Sequence, residues 1–218
     1  MRILAVLAAC AVSAASVPAM GALLDDIVQP PWQRFQPFTT FQEWDFNDSG
    51  DIGPDGENDP FNPNTHFPLI AKPGPGVTWQ GSLPGTNLGG IYFNNGDNDP
   101  FIDFCIPNWI DQEPLKILWI QINGIWDVAA PPQVIGIVGG KGPDAVDGVF
   151  AGSDETFPGF HRRETWEMRP NPDFETIRLF IPEGAIVNQV VIDTISFPTP
   201  GVVSAFGLAA LGVARRRR

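Results

Sequence analysis

Cysteine is nearly missing from this chain of 218 residues, which has only Cys10 and Cys105. Cys10 falls in a leader segment, so a processed chain has no intrachain disulfide. Cys105 sits within the apolar run Phe101 to Ile106 and is expected to be a buried, unreactive thiol. Histidine is as scarce: His66 and His161 stand far apart, with no HExxH or other metal-ligand spacing. Helical stripes are lacking between the two ends, and 23 glycines with 23 prolines exclude a helical bundle, because both residues break helix interiors. No G-x-S-x-G elbow occurs, since Gly152-Ser153 is followed by Asp154-Glu155. Gly136 to Gly142 lacks both the first glycine of a phosphate loop and the hydroxyl residue after Lys141.

Positive charge is the next shortage. Lys and Arg number 13 against 25 Asp and Glu, and five of the 13 are Arg2 and Arg215 to Arg218. The remaining body holds eight basic residues against all 25 acidic ones. Such a surface repels phosphate backbones, which excludes nucleic acid as a partner.

Both ends read as addresses. Residues 1–22 carry one positive charge, an apolar run from Ile3 to Val12 and then small residues, the pattern of a secretory signal helix. Cleavage after Ala19 or after Gly21 satisfies that pattern equally. Leu7-Ala8-Ala9-Cys10 also has the form of a lipobox, which would lipidate Cys10, but only nine residues precede it. At the other end, Gly201 to Ala214 is an apolar stretch of 14 residues, about 21 Å as a helix at ~1.5 Å per residue. A hydrocarbon core of ~30 Å needs nearer 20 residues, so a marginal membrane span is expected, with a buried C-terminal helix as the alternative. In a span, Arg215, Arg216, Arg217 and Arg218 would hold the end in the cytoplasm.

Pro198-Thr199-Pro200, the Gly/Ala/Leu-rich span and the arginine cluster together resemble the PEP-CTERM sorting signal of exosortase substrates. Thr199 stands where that motif has Glu. The resemblance covers residues 198–218 and implies a transient inner-membrane anchor cut near Pro198 to Pro200. It further implies bacteria that export an exopolysaccharide matrix, and a product released to the cell surface or the extracellular matrix. The implied partners are the export machinery and an exosortase-type processing enzyme.

Between the ends, a Pro-rich arm (residues 23–37) precedes short apolar or alternating runs separated by Gly, Pro, Asn and Asp. Eleven strands are expected: Thr39–Phe46, Phe67–Lys72, Val77–Gln80, Gly90–Phe93, Phe101–Ile106, Leu115–Asn123, Gln133–Val138, Gly148–Ala151, Arg162–Arg169, Phe174–Ile181 and Ile186–Phe197. They predict an all-β fold, a single jelly-roll-like β-sandwich over residues 38–197. Leu115 to Ile122 is nearly continuously apolar, as in a central strand covered on both faces. Phe174, Ile177, Leu179 and Ile181 are candidate core positions. Val190 to Phe197 resembles the closing strand of secreted jelly-roll modules, including galactose-binding-like domains.

Chemistry is suggested most by the segment Asp45 to Asp59. Asp45, Asn47 and Ser49 occupy positions 1, 3 and 5 of a calcium loop with Gly50 at 6, and Asp51 adds another oxygen. The twelfth position is Gly56 instead of Glu, so the loop resembles a degenerate one. Gly56 to Phe61 and Gly96 to Phe101 share the pattern G-[ED]-N-D-P-F, which makes Asp97 and Asp99 a second candidate pair for Ca2+. A shared turn before a strand explains the echo equally well. Of seven tryptophans, Trp44, Trp119 and Trp166 fall in strands and are expected in the core. Trp109 and Trp126 sit beside turns and are candidates for an exposed sugar-stacking platform. Glu43, Glu164, Glu167 and Asp103 are the carboxylates a glycosidase pair would draw on. No catalytic residue is singled out. The expectation is a non-enzymatic surface or matrix protein binding polysaccharide and calcium, with a secreted carbohydrate-active hydrolase as the alternative.

Overall fold

The structure is a computed structural model that describes residues 28–46, 56–57, 70–83, 89–107, 114–140, 144–172 and 174–197. The expected leader and sorting tail, with Asn47, Ser49, Asp51 and Trp109, lie outside the described residues. No helix among the described residues is long and apolar enough to cross a membrane. The described residues form β1 (Thr39–Trp44), β2 (Gly56–Glu57), β3 (Ile70–Pro73), β4 (Val77–Gln80), β5 (Ile91–Asn94), β6 (Phe101–Pro107), β7 (Leu115–Ile125), β8 (Gln133–Gly139), β9 (Val146–Asp147), β10 (Val149–Phe157), β11 (His161–Met168), β12 (Phe174–Phe180) and β13 (Ile186–Phe197).

Every strand pair is antiparallel. The larger sheet has the order β10-β11-β7-β13-β1-β2, with β5 also on β13 and β4 on β5; the smaller runs β3-β6-β12-β8-β9. The two stack as a sandwich. Alternation places Leu118, Ile120 and Ile122 of β7 inward, against Ile102, Phe104 and Ile106 of β6 and Ile177 and Leu179 of β12. Trp44 spans the layers, its ring 4.9 Å from that of Phe104. Each such side chain contributes roughly 1.5–3 kcal/mol through burial.

The expected strands are present, with differences that follow from period 2. β7 is central, between β11 and β13, but the expected cover on both faces holds only for part of it. Gln121 and Asn123 are buried on the outer face, whereas Leu115, Ile117, Trp119 and Ile125 are half-buried. β10 continues to Phe157, well past Ala151, because an edge strand can carry Ser153, Asp154 and Thr156 without an apolar face. Glu175 takes the core position expected for Phe174: residues 175, 177, 179 and 181 share the inner face, leaving Phe174 half-buried. Cys105 is likewise turned outward and half-exposed, since Ile102, Phe104 and Ile106 point inward. The two G-[ED]-N-D-P-F copies also part ways. Gly56–Glu57 pairs with β1, whereas Gly96 and Asp97 form a turn capped by Asn94 and Asn95 side-chain oxygens at 2.8 and 2.9 Å.

One core position works against stability. Gln42 is fully buried, and neither its amide nitrogen nor its oxygen has a hydrogen-bond partner. Gln42→Met keeps the side-chain length and removes both unmet groups, so it is expected to stabilise the fold by about 1–3 kcal/mol in chemical denaturation. A destabilised variant would mean that the amide is satisfied in solution.

Candidate functional site

Directly opposed residues of antiparallel strands share a face. With Ile120, Ile122 and Ile192 in the core, the alternate positions build an outer face of unusual polarity on the large sheet. One row holds Phe41, Asp193, Trp119 and Thr165. The next holds Glu43, Val191, Gln121, Arg163 and Asp154. A third holds Gln189, Asn123 and His161, with Asp45 just past the end of β1.

The segment 28–38 lies across this face without forming a strand. Arg34 donates from Nε and Nη2 to the two carboxylate oxygens of Asp193 at 2.5 and 2.6 Å and stacks 4.1 Å from the Phe41 ring centroid. Trp32 meets Trp119 edge-on at 6.1 Å, and the Val28 amide donates to Gln121 Oε1 at 2.9 Å. Burial pushes the Asp193 carboxyl up, while Arg34 holds it down.

In the third row, Asn123 Nδ2 donates to Gln189 Oε1. Gln189 Nε2 donates to Glu43 Oε1 at 2.6 Å and Asp45 Oδ1 at 2.7 Å. The two carboxylate oxygens are therefore at most 5.3 Å apart. His161 is 1% exposed, its Nε2 is 3.3 Å from Gln121 Oε1, and its Nδ1 has no partner; Gln121 Nε2 is unpartnered too. Toward β10 the face opens into a hollow of about 330 Å³ lined by Ala151, Gly152, Ser153, Asp154, Arg163 and Thr165. Arg163 pairs with Asp154 and lies 4.7 Å over the ring of Trp119, so cationic, anionic and aromatic surface meet there.

Burial lowers the His161 pKa, and Arg163 adds to the effect, with Asp154 opposing it. The unfolded chain then binds more protons than the folded one below the ordinary histidine value near ~6.5, so stability falls as pH drops through that value. Asp193 and Glu175, both raised, act with the opposite sign as acid is added. The histidine contribution is isolated by difference. His161→Gln is expected to lose less stability than the wild type between pH 7 and pH 5; parallel pH profiles would remove His161 as a titrating group.

The sequence candidates are scattered by the fold. Glu43 and Asp45 come together on Gln189. Glu164 faces the core, accepting from Arg162 Nε at 2.9 Å and Trp166 Nε1 at 3.0 Å. Asp103 is on the outer face of the small sheet, bound by both Nε and Nη2 of Arg178 at 2.7 Å. Glu167 pairs with Arg169 at 3.2 Å. Asp97 and Asp99 are exposed in the β5–β6 turn, Asp99 with φ of 62°. No group of three or more His, Cys, Asp or Glu able to hold a metal occurs among the described residues. Trp126 is not a platform. It follows Ile122 and Gly124 on the inward parity of β7 and is 6% exposed, its amide bonded to Gly159 O at 3.0 Å. Trp44 and Trp166 are in the core as expected, while Trp119 is half-buried on the outer face.

Arg34, Gln121, Asn123, His161, Gln189 and Asp193 were not legible as a group. The signal that finds Gln121 and Asn123 is a polar residue at every second position of an apolar strand, Trp119-Ile-Gln121-Ile-Asn123, whereas Arg34, outside any strand, carries no such signal. The chain matches no protein-family model, no curated protein and no solved structure.

Proposed function

We propose that the chain is an exported, exosortase-sorted, non-enzymatic protein of the bacterial cell surface or extracellular matrix. Its jelly-roll-like body would bind polysaccharide on the outer face of the large sheet. What supports the surface reading is the order of parts in the sequence: a leader-like segment, the β body, and a segment resembling a sorting tail that begins at Pro198, directly after β13 ends at Phe197. Mass spectrometry of native material tests it. Expected is a mature chain from the envelope or medium, cut after Ala19 or Gly21 and near Pro198 to Pro200; a cytoplasmic chain still carrying Arg215 to Arg218 overturns it.

The polysaccharide reading rests on the hollow on this face, where Ser153, Asp154, Arg163 and Thr165 offer hydrogen-bonding groups. Calcium belongs to the same proposal through Asp45, whose Oδ1 is held by Gln189, at the head of the acidic segment. Affinity is expected in the ~10⁻⁴ to 10⁻³ M range of extracellular modules. Millimolar calcium should then raise the melting temperature, and Asp45→Ala should abolish the rise. An unchanged wild-type melting temperature removes calcium from the proposal.

The hydrolase alternative is favoured by one observation, that Glu43 and Asp45 each place a carboxylate oxygen on the same Gln189 nitrogen, close enough together to serve as a carboxylate pair. A glycan array run beside a turnover screen on acidic polysaccharides separates the two readings. Binding without turnover supports the first; turnover that is lost in Glu43→Gln supports the second.

A further inference from the structure

We propose that Lys116 and Glu175 form an intramolecular amide cross-link that joins the large sheet to the small one. Lys116 is on β7, opposite Met168 of β11 and Ser196 of β13; Glu175 is on β12, opposite Ile106 of β6 and Gly139 of β8. Both side chains are 0% exposed, and Lys116 Nζ touches Glu175 Oε1 across the interior. Glu175 Oε2 has no partner. Asn171, whose Nδ2 donates to Ser196 Oγ at 3.0 Å, is buried close by and helps close this end of the sandwich. The other described lysine, Lys72, is exposed.

As an ion pair this arrangement is poor. Each buried charge costs several kcal/mol of desolvation, and a carboxylate with one unmet oxygen recovers that only in part. Burial pushes the Glu175 carboxyl up, against the attraction of Lys116. Passing one proton from Nζ to Oε1 along the existing contact gives an amine touching a carboxylic acid. The Nζ lone pair then adds to Cδ, the C–O bond to the hydroxyl breaks, and the hydroxyl leaves with the second Nζ proton as water. The product is a secondary amide with one N–H and a neutral carbonyl oxygen. One N–C bond forms, one water is released, and no oxidant, reductant or activated co-reactant is needed.

Two features favour the step. The fold holds the reacting groups in contact, which replaces a bimolecular encounter. Close-packed surroundings withhold the water that would hydrolyse the product. The cross-link would also do the work of a disulfide in a body whose single cysteine is Cys105, by constraining the unfolded chain between residues 116 and 175. The proposal goes beyond the surface reading and stands independently of it.

The test is peptide mapping of the full chain after denaturation. Expected is a mass lower by one water, no tryptic cleavage after Lys116, and a branched peptide whose fragments place the junction at Nζ of Lys116 and Cδ of Glu175. Asp55-Gly56 and Asp147-Gly148 can also lose water by succinimide formation, so the branched peptide decides and the intact mass alone does not. Lys116→Met should remove the branch. Wild-type chain cleaved after Lys116, with an unmodified Glu175 peptide, overturns the proposal. So does a branch to Asn171 formed with loss of ammonia. The wild-type map decides even if Lys116→Met fails to fold.

Discussion

Arg34→Ala is expected to destabilise the protein by about 3–5 kcal/mol, because it strands a buried carboxylate without its partner. Asp193 is at the centre of the large sheet with a fully buried side chain, and Arg34 meets both its oxygens from a segment that is otherwise irregular. Residues 28–38 form no strand; the Ser196 amide holds the end of the segment at Phe38 O at 2.8 Å, so the position of its middle depends on side-chain contacts such as that of Arg34. Losing Arg34 also removes the cation stacked on Phe41. Out of a typical stability of about 5–15 kcal/mol, that loss is large. The pH dependence identifies its origin. Asp193 has a raised pKa, so the folded form binds more protons and the fold gains stability as pH falls through the folded value toward the unfolded one near ~3.9. Without Arg34 that pKa rises further, and the gap between variant and wild type should narrow in acid. Denaturation at pH 7 and pH 5 checks both statements. Equal stability at pH 7, or a gap that widens in acid, would show that Asp193 carries no charge needing Arg34.

The same segment shows what a sequence pattern can and cannot convey. Strand positions were legible because period-2 alternation and turn residues are local signals, and β7 and β13 are long, apolar and central. Parity inside a strand was harder. Phe174 looked like core by hydrophobicity, yet the inward position falls on Glu175, and Cys105 points out although its whole run is apolar. Trp126 beside a turn looked exposed, yet it continues the inward parity of Ile122 and Gly124. The candidate site was least legible. Its rows join residues more than 140 positions apart, as where Gln189 holds Glu43 and Asp45. Such contacts exist only once the order β11-β7-β13-β1 is set, and no local motif encodes that order.

Sheet order also explains why one core residue on β1 matters to the face behind it. Trp44 points inward between Glu43 and Asp45, which point outward, so packing of the indole fixes where both carboxylates stand. Trp44 is 1% exposed, packs at 4.9 Å against Phe104 of the opposite sheet, and has an indole N–H with no acceptor. Trp44→Ala therefore opens a cavity between the sheets and is expected to cost about 3–5 kcal/mol. Trp44→Phe keeps most of the ring contact and removes the unmet N–H, so its cost should stay below about 1.5 kcal/mol. Ligand binding should divide the same way. Trp44→Phe should retain any glycan or calcium affinity of the outer face, whereas Trp44→Ala should weaken it even where the variant remains folded, because β1 can then tilt into the cavity and carry Glu43 and Asp45 with it. Urea titrations with a glycan-binding or calcium-shift measurement on each variant supply both readouts. Equal losses of stability in the two variants would show that Phe does not keep the ring contact with Phe104 and would overturn the packing account.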